Sequence, residues 1–396
     1  MKAYVISNKA ALSPYQKPSS DIRLMGQTIG RRLRRQLSAC GFQIIECDSL
    51  ESLKPEARSI AVQDDVLLSA KFLARFLEAI TTRERDFQLW MDTAKFHLFS
   101  IRDAAPVFRS MPVFYFGDQP KASHPERLEL APQVAFDTDE GMPQRIGDFT
   151  NLHVYFLDCY AVHVQYWFDL LIANGVYVRE FLVERLRPFS RILPKRIIYR
   201  ILANRWIREH SNSIGSGCRI HPKAILEGCI VGNGVEIGPY CYLRSSVIAD
   251  RAIIRERSSI KLGYVGEGAC VAGIDVTNCY IGSGSFILSS LVNVVIGERV
   301  FLAGGSGFTD FIFGAQKILV TIDGKEINSG QNFLGSAVGD DCFIGAGLGF
   351  APGRTILNNI SLMNNALIKN VPNSPNGAYI VSGNHLLQIP TSFTRG

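Results

Sequence analysis

The 396-residue sequence has no C-x-x-C pair among its nine cysteines, which lie scattered from Cys40 to Cys342 with no histidine–cysteine ligand cluster beside them. An odd, dispersed set argues against a disulfide framework or a zinc site and points to a reducing compartment. No run reaches the roughly 18 apolar residues of a membrane-spanning helix. The stretch MKAYVISNKAALSPYQKPSSD at the start lacks the apolar centre of a secretory leader. The charge surplus is small, 42 Lys+Arg against 36 Asp+Glu, and does not by itself mark a nucleic-acid binder. Hydrophobic residues are not scarce: at 47% hydrophobic and 20% charged, the composition is that of a folded globular chain rather than a disordered one. The expectation is a soluble cytoplasmic protein of two or three domains.

What the chain does have is an internal repeat. Aliphatic residues recur every six positions, with a step of five where a corner is cut: Ile214, Ile220, Ile225, Val231, Ile237, Leu243, Ile248, Ile254, Ile260, Val265 and Val271. The phase returns at Ile281 and Ile287, at Ile296 and Leu302, and at Val338, Ile344, Phe350 and Ile356. Eight of the aliphatics are followed by glycine, among them Val231-Gly232, Ile281-Gly282 and Val338-Gly339. This period fits neither a helix face nor strand alternation. It fits a short strand plus a corner, three of which make a triangular coil of about 18 residues. The aliphatic points into the prism, and the glycine tolerates the tight backbone near the corner.

The rest divides around this repeat, predicted over 213–372 with a tail at 373–396. Residues 1–157 read as an α/β domain with a mainly parallel sheet. Ala3–Ser7, Phe42–Ile45, Ile60–Val62 and Met111–Phe116 are its strands, and Ile29–Leu37 and Leu67–Ile80 its helices. Residues 158–212 read as a helical linker. Its basic segment from Arg185 to Arg208 carries apolar residues such as Ile192, Ile197 and Trp206 between its charges. Two readings stand for it: a helix packed on the end of the coil stack, or a surface for a membrane or an anion.

An α/β domain, a helical linker and a hexapeptide coil together resemble the sugar-phosphate nucleotidylyltransferases that carry a left-handed β-helix. The bifunctional UDP-N-acetylglucosamine pyrophosphorylase/glucosamine-1-phosphate acetyltransferases and their archaeal sugar-phosphate relatives are the nearest in pattern. Ile237-Gly-Pro-Tyr-Cys-Tyr-Leu-Arg244 is similar to the family's I-G-P-F-x-x-L-R, and Ser258-Ser-Ile-Lys261 stands where the family has V-E-V-K. Val265-Gly-Glu-Gly268 and Tyr280-Ile-Gly282 follow in the same order. Lys317–Gly330 resembles a loop insertion of the archaeal relatives, and Trp167–Asn174 the W-D-L-L-x-A-N element. The resemblance implies left-handed coils, against the usual right-handed crossover, and a homotrimer.

It also implies chemistry. Nucleotidyl transfer from an NTP to a sugar 1-phosphate needs phosphate-holding N–H and ammonium groups and carboxylates for Mg2+. The family's first loop is L-A-A-G-x-G-T-R-L, then P-K. Here it is Ile6-Ser-Asn-Lys-Ala-Ala-Leu-Ser13 without glycine, then Lys17-Pro18. The resemblance assigns Lys17 to phosphate, Gly26 of Leu24-Met-Gly-Gln to substrate, and Asp64 and Asp65 to Mg2+, with Asp65 catalytic. The residues alone leave Asp64-Asp65 open between metal ligands and a helix cap before Leu67. For acetyl transfer from acetyl-CoA the relatives use the histidine of H-L-S-Y-I-G as base. Thr277 leads into Tyr280-Ile-Gly here, and no histidine lies between His221 and His385. Arg244, Lys261 and Tyr280 match sugar-phosphate positions, and Lys317 is a fourth candidate contact. Ala346, Ala351 and Arg354 fall where the coil would meet coenzyme A. Arg244 and Lys261 are equally readable as solvated surface charges. Three functions follow: a nucleotidylyltransferase, a non-catalytic binder of a sugar phosphate or nucleotide sugar, or an acyltransferase.

Overall fold

The computed structural model describes residues 1–15, 17–24, 27–96, 100–101, 106–120, 125–139, 152–190, 210–312, 317–363, 378–382 and 385–389. The chain begins with a six-stranded sheet in the order Glu126–Leu130, Phe87–Asp92, Phe108–Phe116, Ser59–Gln63, Lys2–Ile6, Gln43–Cys47. Only Phe108–Phe116 runs antiparallel to its neighbours, so the sheet is mainly parallel, as predicted. Helix α1 (Ile29–Ala39) starts where the Thr28 hydroxyl accepts the Arg31 N–H, and it buries Ile29, Leu33 and Leu37 at helical spacing.

The second helix begins later than the sequence pattern suggests. Val66–Leu68 is a strand paired antiparallel with Ala161–His163, and α2 (Ala70–Thr81) follows. Its cap is Ser69, whose Oγ accepts the Phe72 N–H at 3.1 Å, so Asp64 and Asp65 do not cap it. The stretch after residue 160 likewise opens as a strand, and its helix, α3, spans Asp169–Ser190.

From Ser213 the chain winds into a left-handed parallel β-helix with three walls. Two walls have eight strands each, and the third has five. On the first wall Ser213, Ile230, Val247 and Tyr264 stack in register, 17 residues apart. The predicted aliphatic columns fill the interior: Val231, Ile248, Val265, Ile281, Ile296 and Val338 from the first wall, and Ile237, Ile254, Val271, Ile287, Leu302 and Ile344 from the second, all within 3% of full burial. One position is off by one. Leu226, not Ile225, stacks on Leu243 and Ile260 inside the third wall, because the step from Ile220 is six and the cut corner comes after it. Ile214 lies on the end coil and is 52% exposed.

Glycine follows most of the first-wall aliphatics, with alanine once, at Ala249, and it has a steric cause. A Cβ on Gly232 would lie 2.3 Å from Asp250 Oδ1, and one on Gly282 would lie 2.3 Å from the Gly297 carbonyl oxygen of the next coil. The left-handed backbone falls two residues later, at Gly234, Gly268 and Gly284. There glycine is optional, since Arg251 and Arg299 adopt the same conformation.

The two halves pack together along the first wall. Residues pointing out of that wall are covered by α3 and the strand domain: Val178 of α3 packs with Val247 and Tyr264. The Trp167 indole N–H donates to Thr355 Oγ1 (3.1 Å), and the Asn174 amide donates to the Leu262 carbonyl (3.2 Å). The described part of α3 thus lies along a wall, not on the end of the stack. Residues 191–208 of the basic segment fall outside the described residues. The insertion after the third wall is a β-hairpin, Leu319–Ile322 with Lys325–Asn328, that buries Ile318, Val320 and Ile322 in the core of the strand domain.

Candidate functional site

Asp64 and Asp65 lie in the turn after the central strand Ser59–Gln63, opposite the first loop. That loop closes on them. The Asn8 backbone N–H donates to Asp64 Oδ1 (2.9 Å), and its side-chain amide donates to Asp65 Oδ2 (2.7 Å). Arg34 of α1 lies 3.7 Å from Asp64 Oδ2, and His163 Nε2 lies 3.3 Å from Asp65 Oδ2. Burial raises the Asp64 pKa, opposed by the Asn8 N–H and Arg34.

Magnesium does not fit this pair. The ion keeps several waters and takes exposed carboxylate oxygens, whereas the Asp65 side chain has no exposed surface. The described residues contain no group of three potential ligands. Three of the four carboxylate oxygens already face an amide, a guanidinium or an imidazole; the fourth, Asp65 Oδ1, is buried without a partner among the described residues. Lys17 is engaged elsewhere, its ammonium bonded to Glu298 of the β-helix. Gly26 lies outside the described residues.

Beside His163 is a cavity of about 270 Å3 lined by Thr93, Arg109, His163, Gln165, Tyr166 and Asp169, among others. Asp169 opens α3 and accepts the Gln165 and Tyr166 backbone N–H groups at 3.1 and 2.8 Å. Burial pushes its pKa to about 6 against the pull of those N–H groups and of Arg109 and His163. Sequence reasoning missed this site. Arg109 and His163 lie on strands of different sheets, far apart in sequence, and neither belongs to a motif.

The β-helix candidates separate into two groups. Tyr280 belongs to the docking face: it stacks on Tyr264 at 4.7 Å, and its hydroxyl donates to the Arg23 carbonyl (3.1 Å). It links the two halves rather than facing an open groove. Arg244 and Lys261 point outward from the third wall and are directly opposite each other in the ladder, between Glu227 and Thr277. Both are exposed, and neither has an ion-pair partner among the described residues. The adjacent column carries Tyr242, whose hydroxyl donates to Glu227 Oε2 (2.8 Å) and whose ring centre lies 6.0 Å from the Lys261 ammonium. Lys317 is exposed at the start of the hairpin. Ala346, Ala351 and Arg354 are exposed near the end of the stack.

The repeat is matched by a known family: residues 213–245 are similar to the family described as bacterial transferase hexapeptide (six repeats). The chain is also similar to the bifunctional protein GlmU of Carboxydothermus hydrogenoformans, 27% identical over 157 residues, which is 35% of this chain and 32% of that protein. It is 29% identical over 135 residues to that of an Anaeromyxobacter species, covering 34% of this chain and 25% of the relative. Against that of Heliobacterium modesticaldum it is 26% identical over 156 residues, 34% of each chain. The chain spans about a third or less of the length of these curated relatives. No helix among the described residues is long and apolar enough to cross a membrane.

Proposed function

We propose that the chain binds a sugar phosphate or nucleotide sugar on the third wall of its β-helix, as a ligand-binding relative of the transferases it resembles. The observation that carries this reading is the stacking of Arg244 on Lys261. Like charges directly opposite in a ladder are destabilising. Elsewhere on the helix Arg219, Arg251 and Arg299 each meet an acid one coil along: Glu236, Glu267 and Asp341. An oxyanion between Arg244 and Lys261 relieves the repulsion, and Tyr242 beside them offers a flat face for a sugar ring. The two catalytic readings have less support. Lys17, Asp64 and Asp65 are occupied by protein partners. Thr277, next to Lys261 in the ladder, cannot act as a base near neutral pH.

Calorimetric titration with glucose 1-phosphate and with UDP- and dTDP-sugars tests the reading. Binding is expected, and Arg244→Ala with Lys261→Ala is expected to weaken it by about a hundredfold, at roughly 1.5 kcal/mol per charged hydrogen bond. Unchanged affinity in the double variant sinks it. Pyrophosphate release from an NTP, or free thiol from acetyl-CoA, would replace it with one of the enzymatic readings.

A homotrimer is part of the same proposal. The outward residues Phe286, Phe301 and Phe343 stack on the second wall, with Phe286 and Phe343 about 40% exposed. This is an apolar face of the kind that association covers. Light scattering is expected to give three times the monomer mass, and Phe301→Glu to lower it; a monomer at micromolar concentration refutes the assembly.

A further inference from the structure

Another cavity, of about 280 Å3, lies between α1 and α3 beside the first residue of α2, Ala70. That volume is at the small end of ligand pockets. Each long helix gives the cavity one face: Arg32, Arg35 and Gln36 at helical spacing on α1, and Tyr177, Glu180 and Glu184 on α3. These residues take no part in the acid pair, the cavity beside His163 or the β-helix wall.

The buried side of this cavity is polar and incompletely matched. Arg32 is 8% exposed, and its Nη2 donates to Glu180 Oε2 (2.9 Å), which also accepts the Tyr160 hydroxyl (2.6 Å). The guanidinium carbon lies 3.8 Å from the centre of the Tyr177 ring. Those contacts satisfy Arg32 Nη2 and Glu180. They leave the Arg32 Nε–H buried without an acceptor, and one turn along α1 Gln36 Oε1 is buried without a donor, among the described residues. Each atom bears a desolvation cost that a partner would relieve. Arg35 and Glu184 are exposed, and neither has an ion-pair or hydrogen-bond partner among the described residues. A donor for an anion and an acceptor for a cation thus stand a helical turn apart, with one further charge of each sign on the lining. A ligand that matches carries a carboxylate and an ammonium on one carbon. The Tyr177 and Phe181 rings supply apolar surface, and the small Ala39 and Ala70 leave space beside them.

We propose that this cavity binds a free α-amino acid with an aromatic side chain, the Arg32 Nε–H and Arg35 holding its carboxylate, Gln36 Oε1 and Glu184 its ammonium, and Tyr177 and Phe181 its ring. Both ends are charge-assisted hydrogen bonds, the stronger kind. The site is separate from the third wall of the β-helix and does not depend on it.

The test is calorimetric titration of the full chain with L-phenylalanine, L-tyrosine and L-tryptophan at millimolar concentration. Binding of at least one is expected. The analogues lacking one charge, phenethylamine and hydrocinnamate in the case of phenylalanine, are expected to bind at least about tenfold more weakly, the effect of one charged hydrogen bond. Gln36→Leu is expected to weaken binding to a similar extent while leaving the urea midpoint unchanged or higher, because it removes an unmatched buried acceptor. Arg35→Gln, on the surface, is expected to weaken binding without affecting the fold. Arg244→Ala with Lys261→Ala is expected to leave the affinity as it is. No binding of any of the three amino acids, equal affinity for the singly charged analogues, or affinity unchanged by Gln36→Leu and Arg35→Gln overturns the proposal. So does loss of binding in the Arg244/Lys261 variant, which would move the ligand to the β-helix wall.

Discussion

Gly282→Ala is expected to lower stability by about 3 kcal/mol, the upper part of the overpacking range. Gly282 follows the buried Ile281 on the first wall, and its backbone φ is not in the left-handed region, so alanine carries no conformational penalty there. The cost is steric. The added Cβ would lie 2.3 Å from the Gly297 carbonyl oxygen and 2.4 Å from its carbon. Those are backbone atoms of the next coil, and they cannot swing aside as a side chain would. Separating the coils would weaken the backbone ladder from Gly282 N–H to the Ile296 carbonyl, now 2.9 Å, and the packing of Ile281 on Ile296. Two controls isolate the cause. Gly307→Ala meets nothing within 4 Å at an ordinary φ and is expected to be nearly silent. Gly217→Ala also has open space but a φ of +68°, and is expected to cost about 1–2 kcal/mol from backbone strain alone. Urea midpoints of the three variants give the order. Equal effects at 282 and 307 would show that the coils are not in contact at Gly282.

The same glycines explain why the β-helix was legible in the sequence. Its signal is repeated once per coil, and each repeat is enforced by its neighbour: aliphatics fill the inside, and a residue as small as glycine or alanine follows where one coil's backbone meets the next. The single slip, Ile225 for Leu226, came where two adjacent aliphatics made the phase ambiguous and the third wall decided it. The strand domain has no such redundancy. Leu67 continues the helical pattern of α2 in sequence, but pairing with Val162 makes it a strand, and that partner lies far along the chain. The acid pair was legible as a pair but not in its state, because Asn8, Arg34 and His163 reach it from three separate segments. Lys17 and Tyr280 stood out by resemblance. Their contacts, Glu298 and Arg23, join the two halves. No local pattern marks Arg109 as a cavity residue, since it lies in a strand among residues of mixed burial.

A residue with no motif at all is expected to produce the second large effect. Arg179→Met should destabilise the fold by about 3 kcal/mol, although the substitution removes a buried charge that faces no carboxylate. Arg179 is 1% exposed. Its Nε donates to the Gly175 carbonyl (2.8 Å), its Nη1 to that of Tyr155 (2.8 Å) and its Nη2 to that of Phe96 (2.9 Å). Two effects oppose each other. Burial pulls the guanidinium pKa down to about 10, and removing the charge from water costs on the order of several kcal/mol. Three hydrogen bonds from a charged donor contribute roughly 1.5–3 kcal/mol each, so together they exceed it. Methionine matches the length but donates nothing, and leaves the Tyr155 and Phe96 carbonyls without this donor in the interior, each costing about 1–3 kcal/mol. Relief of the desolvation offsets only part of that. Arg179→Lys keeps the charge but lacks the planar fork that spans the carbonyls, so it should recover less than half of the loss. Phe96 and Tyr166 line the cavity beside His163, and Arg179 ties the Phe96 backbone to α3. Urea midpoints of the methionine and lysine variants against the parent read the effect. A methionine variant as stable as the parent would mean that desolvation outweighs the three carbonyl bonds and that Arg179 is tolerated rather than required.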